Sequence, residues 1–170
     1  MGITAILRSV NEEQLTRARR DPSYAARLVD EIPEDDSAQR RTFYIERFSF
    51  NLWESLVWDA PVNVFTGEEE IDLNWDYEDE AEAQDDADEG DDDEDSTAMR
   101  LDPGLMTELA GWLRDIRFAD ACEGSGEAFT VDDGYAYDSY GSVDEDEFND
   151  FRAFVLAVAE RGDGVLFHFS

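Results

Sequence analysis

Cys122 and His168 are the only cysteine and the only histidine in the sequence. A tetrahedral zinc site takes three or four such ligands, so no metal site of that kind is expected. Cys122 follows "FADA" and reads as a small buried residue, not as a nucleophile with His168 for its base. His168 lies in "VLFHFS", opposite in parity to Phe167 and Phe169. It reads as a solvated or hydrogen-bonded strand residue. "GSGEAF" lacks the lysine, the further glycine and the preceding strand of a phosphate loop. No cofactor is implied.

Carboxylates are the abundant chemical group: 45 Asp and Glu stand against 13 Arg, with no Lys, for a net charge of -32. They concentrate between Glu68 and Asp95, where 18 acids occur with no basic residue. A calcium loop needs acids at alternate positions, a central glycine and a closing glutamate. With Gly90 as that glycine, Ala87 falls on the third position and Ser96 on the twelfth. With Gly134, Phe129 falls on the first. Both alignments fail, and no metal ligands are assigned. Paired carboxylates serve general acid–base catalysis, but in a chain this acidic no pair stands out and no catalytic residue is assigned. The candidate binding residues are the core of the run, "DDADEGDDDED": Asp85, Asp86, Asp88, Glu89, Asp91, Asp92, Asp93, Glu94 and Asp95, as a surface for a basic protein. Tyr135, Tyr137 and Tyr140 are a second candidate face, against the plainer reading of an edge hairpin packed on the domain.

The charge excludes several partners. Nucleic-acid binding depends on Lys and Arg displacing counterions from phosphates, and anionic membranes repel an acidic surface. Neither nucleic acid nor membrane is expected; a basic protein or cations are. "MGITAILRSV" lacks the basic start and long apolar core of a signal peptide. No stretch approaches the ~20 apolar residues of a membrane span, and one cysteine forms no internal disulfide. A cytoplasmic location is expected. Three readings follow: a noncatalytic interaction protein that binds, and in one form neutralises, a basic partner; an enzyme that uses carboxylates with or without Mg²⁺; and a stable domain whose acidic run only adds solubility.

The elements that must carry these groups have local signals. "ITAILRSV" is β-branched and short, a strand. Asn11 with Gln14 forms a capping box for a helix to about Arg20. Asp21 and Pro22 begin a second helix, with Tyr24, Leu28 and Ile32 on one face. "RTFYIERFSFNLWESLVWDAP" predicts one broad apolar helix, with Tyr44, Phe48, Leu52 and Leu56 as its stripe and Ile45, Trp53 and Val57 widening it. "VNVF" predicts a short strand. Asp102 and Pro103 open a helix with Leu105, Leu109, Trp112 and Ile116 on one face. Asp133-Gly134 marks a hairpin. A last helix is capped by Ser142 with Glu145, buries Phe148, Phe151, Val155 and Val158, and ends at Gly162; "VLFHFS" closes as a strand. Trp53, Leu56, Leu109, Trp112, Phe151 and Val155 are the expected core.

With 42% hydrophobic and 12% aromatic residues, 170 residues suit one compact domain. "MGITAILRSV", "MRLDPGLMTELAGWL" and "FRAFVLAVAERGDGVLFHF" together resemble the YfbM-like family of small bacterial proteins, over most of the chain outside the acidic run. The resemblance implies one α+β domain and no established activity. Relatives carry a Leu-Asp-Lys-x-Trp segment and then Leu-His on the central helix. Here, in "SFNLWESLV", Trp53 and Leu56 match, whereas Phe50, Asn51 and Val57 stand at the Asp, Lys and His positions. The fold expected is a single α+β domain, 1–170, of four to five helices on a small sheet that includes the N- and C-terminal strands. A flexible acidic insert is expected at about 68–97.

Overall fold

The computed structural model describes residues 4–31, 40–65, 67, 69–73, 97–124, 129–139 and 141–169. Strands β1 (Thr4–Val10), β2 (Thr42–Glu46), β3 (Glu69–Asp72), β4 (Thr97–Leu101) and β8 (Gly164–Phe169) form one five-stranded sheet in the order β2-β1-β8-β4-β3. Every neighbouring pair is antiparallel. The terminal strands pair directly, Ala5 opposite Phe169 and Val10 opposite Gly164. A small sheet of β5 (Thr130–Asp132), β6 (Tyr135–Tyr137) and β7 (Ser142–Asp144) stands apart from it. The fold class is α+β.

Six helices occur among the described residues: α1 (Glu12–Arg20), α2 (Pro22–Asp30), α3 (Phe50–Leu56), α4 (Pro103–Asp115), α5 (Phe118–Gly124) and α6 (Glu145–Arg161). The period-2 alternation of strand side chains sends residues to two layers. Ala5, Leu7, Ile45, Leu101, Val165 and Phe167 join the main core with α3, α4, α5 and α6. Val10, Ala98, Leu166 and Ile71 face the other way and pack with α1 and α2. Aromatic rings fill the main core: Trp53 stacks on Phe148 at 6.3 Å, and Phe43 meets Trp53 edge-on at 5.6 Å.

Helix starts follow their local chemistry. Asn11 and Gln14 form the expected reciprocal capping box, and the Asp21 carboxylate accepts from Tyr24 N–H. The cap of α6 is Asp144 with Glu147, two residues beyond Ser142 and Glu145. Ser142 instead belongs to β7, so strand pairing with β6 takes the residues that would have capped. The hairpin at Asp133-Gly134 is present, both residues at positive φ (47° and 84°), as a two-residue type I′ connection requires.

Three further expectations are corrected. The helix read over "RTFYIERFSFNLWESLVWDAP" is strand β2, a 3₁₀ turn at Arg47–Ser49, and the shorter α3. Phe43 and Ile45 pack inward while Tyr44 and Phe48 are 46% and 60% exposed. Thr42 to Ile45 are β-prone, and an apolar run satisfies both periods at once; pairing with β1 decides for period 2. "VNVF" forms turns, although Val62, Val64 and Phe65 are buried. The acidic insert placed at 68–97 starts and finishes in strand, because β3 and β4 pair with each other and with the sheet; residues 74–96 lie outside the described residues. Of the expected core, Trp53, Leu56, Leu109, Phe151 and Val155 are buried and Trp112 packs partly buried against them.

Candidate functional site

Strand β2 ends the sheet, and among the described residues it pairs with β1 alone. Ser9 N–H donates to the Arg41 carbonyl at 2.7 Å. Bonded and non-bonded pairs alternate along an antiparallel ladder. The register, Leu7 with Phe43 and Ala5 with Ile45, therefore turns the backbone groups of Phe43 and Ile45 toward β1. Those of Thr42, Tyr44 and Glu46 point outward, off the sheet.

A cavity opens on each side of this edge. On the α6 side, a groove of about 420 Å³ is lined by Arg40, Thr42, Phe43, Tyr44, Glu147, Asp150 and Phe154. Glu147 and Asp150 lie one turn apart on the exposed face of α6. Partial burial and the charges of Asp144, Glu46 and Asp150 push the Glu147 carboxyl above its ordinary range, against the N–H of Asp144, which donates to it at 3.0 Å. Four carboxylates thus share one field at the start of α6.

On the α2 side, a cavity of about 150 Å³ is lined by Ile6, Arg8, Val29, Asp30, Glu31, Thr42, Tyr44 and His168. Arg8 is buried in its wall and donates to the carbonyls of Leu28 and Glu31 at the end of α2, where a cation complements the helix dipole. His168, expected to be solvated or hydrogen-bonded, is only 6% exposed, and its Nδ1 has no hydrogen-bond partner among the described residues. Its strand lies in the middle of the sheet, between β1 and β4, with Ile6 and Ala98 opposite it, so the parity that separates it from Phe167 turns it under α2 and not into water. Burial holds the imidazole below its ordinary range; Asp30 raises it and Arg8 lowers it further. The buried Thr42 Oγ1 also lacks a partner among the described residues.

The other sequence candidates separate from this edge. Asp85, Asp86, Asp88, Glu89, Asp91, Asp92, Asp93, Glu94 and Asp95 lie outside the described residues, as does Tyr140. Tyr135 and Tyr137 are exposed on the outer face of the small sheet, with Ala136 between them buried. Cys122 is buried in the main core, which pushes its thiol up to about 11. That thiol is not paired with His168, which lies on the opposite face of the sheet. A wider groove of about 750 Å³ between α1 and α4 carries Arg19, Arg20 and Arg100, but Arg100 is ion-paired with Asp102 at 3.2 Å and Glu12 offsets more of the charge. Among the described residues no three of His, Cys, Asp and Glu converge as metal ligands, and no helix is long and apolar enough to cross a membrane.

Sequence reasoning missed Asp30, Glu46, Glu147 and Asp150 as members of a site, because each is one acid among many. The Glu147–Asp150 spacing of three was visible; its meeting with β2 depends on the fold. Comparison of the chain with protein-family models, with curated proteins and with solved structures finds no match.

Proposed function

We propose that this protein is a noncatalytic interaction protein that binds a basic protein partner. The placement of Glu147 and Asp150 in the groove beside the β2 edge carries the reading. Asp144, Glu46 and Asp150 raise the Glu147 carboxyl in addition to its partial burial, and an approaching Lys or Arg offsets that repulsion. In a molecule of net charge -32, the field also raises the rate of encounter with cationic proteins. The acidic run at Asp85 to Asp95 contributes to that long-range field. The likeness to the YfbM-like family belongs to the same proposal: the segments that bear it supply β1, β4 with α4, and α6 with β8, whose strands adjoin in the sheet.

Poly-arginine titrated into the full chain, followed by calorimetry from low to moderate salt, tests the reading. Binding that weakens steeply with salt, and that weakens further in a Glu147→Gln/Asp150→Asn variant, is expected. No binding at low salt, or binding indifferent to salt, would sink it.

A further inference from the structure

The geometry points to strand addition: the basic partner docks as an extended segment along the outer edge of β2, its side chains alternating between the two flanking cavities. This rests on the proposed binding of a basic partner and specifies how that partner is held. The outward N–H and C=O groups of Thr42 and Tyr44 supply the ladder. Natural sheet edges are commonly covered or charged against such pairing. Among the described residues β2 pairs with β1 alone, and Thr42 and Tyr44 line cavities on both sides of it. Added strands draw affinity from main-chain hydrogen bonds and specificity from pockets for alternate side chains.

The two cavities ask for basic side chains in different ways. The α6-side groove sets two carboxylates, Glu147 and Asp150, against one lining cation, Arg40, and so keeps a net negative charge for a Lys or Arg. The α2-side cavity offers the exposed Asp30 carboxylate and the Thr42 hydroxyl of the edge strand, with the buried His168, its Nδ1 unpartnered among the described residues, further in. An added strand would lie about 4.8 Å outside β2, and His168 sits two strands further in. No single side chain spans those three strand spacings, so a Lys or Arg there meets Asp30 and Thr42 nearer the edge, its stem packing on the cavity's apolar wall as such stems do. Arg8 opposes a second cation there. Its guanidinium is engaged by the α2 carbonyls, at the negative end of the helix dipole, and Asp30 and Glu31 stand beside it. The occupant is therefore a β-prone segment with two consecutive basic residues, one for each face of the sheet.

The probe is an acetylated, amidated octapeptide of Thr and Val around a central Arg-Arg pair, read by calorimetry and by amide exchange of Thr42 and Tyr44. A control peptide carries N-methyl groups on alternate amides. Poly-arginine is titrated in parallel. N-methylation on the pairing side is expected to weaken binding at least tenfold, the parent peptide to slow exchange at Thr42 and Tyr44, and Asp30→Asn to weaken it about three- to tenfold. Asp30 is exposed on α2, so that variant leaves the fold intact. Equal binding of both peptides, or unchanged exchange at β2, overturns strand addition while poly-arginine binding leaves the acidic reading standing. Poly-arginine bound but the octapeptide not bound also overturns it. Failure of all three ligands removes both.

Discussion

His168 and Glu147 titrate in opposite senses. A histidine whose folded pKa lies below its ordinary value of 6.5 takes up its proton less readily when folded. The stability tied to it is present above that ordinary value and lost as pH falls through it. Urea midpoints of the parent should therefore drop more between about pH 7.5 and pH 5.5 than those of His168→Gln; parallel profiles would contradict the burial of a neutral imidazole. Glu147 is raised, so its charged form costs stability at neutral pH and the cost disappears as pH falls through the raised value. Glu147→Gln keeps a side chain that completes the capping box and should raise the urea midpoint at pH 7 but not near pH 4. A gain at both values would assign the effect to something other than charge.

Trp53 connects elements that the sequence had merged. From α3 it meets Phe43 of β2 and Phe148 and Phe151 of α6. Trp53→Ala should cost about 3–5 kcal/mol, and a urea midpoint equal to the parent's would refute that packing. Turn geometry offers a second comparison. A Cβ at Gly134 would meet nothing within 4 Å, so Gly134→Ala should lose only the 1–2 kcal/mol or so of a left-handed residue. A Cβ at Gly141 would lie 2.6 Å from the Phe48 carbonyl, so Gly141→Ala must shift backbone and should cost more in the same urea series. Elements with punctuation were legible: Asn11 with Gln14, Asp21 with Pro22, and Asp133-Gly134 each fixed a start or a turn. Thr42 to Val57 carried no breaker between strand and helix, and the β3–β4 pair had too few apolar residues to show a period. Both were decided by partners distant in sequence. The edge site depends on those same misread elements, which is why its acids stayed hidden.

Across the whole molecule, surplus negative charge acts against compactness. Added sodium chloride should raise the melting temperature through screening. Deleting Asp85 to Asp95 removes nine acids and shortens a connection between β3 and β4, whose closure entropy changes only slowly with length. The deletant should fold, melt no lower than the parent at low salt, and respond less to salt. An unfolded deletant, or an unchanged salt slope, would show that the run acts through specific contacts and not through its charge.

Because β8 lies between β1 and β4, the last strand in sequence among the described residues is also the central one in the sheet. During synthesis β1 with β2, and β3 with β4, can each pair as they emerge, but the two hairpins have no common seam until Gly164 to Phe169 leave the ribosome. From the synthesis of Leu101 until that of β8 the nascent chain thus carries two open inner edges, the situation in which β-sheet proteins aggregate. Its heavy like charge keeps such chains apart over that interval, so the acidity that weakens the finished fold protects the unfinished one.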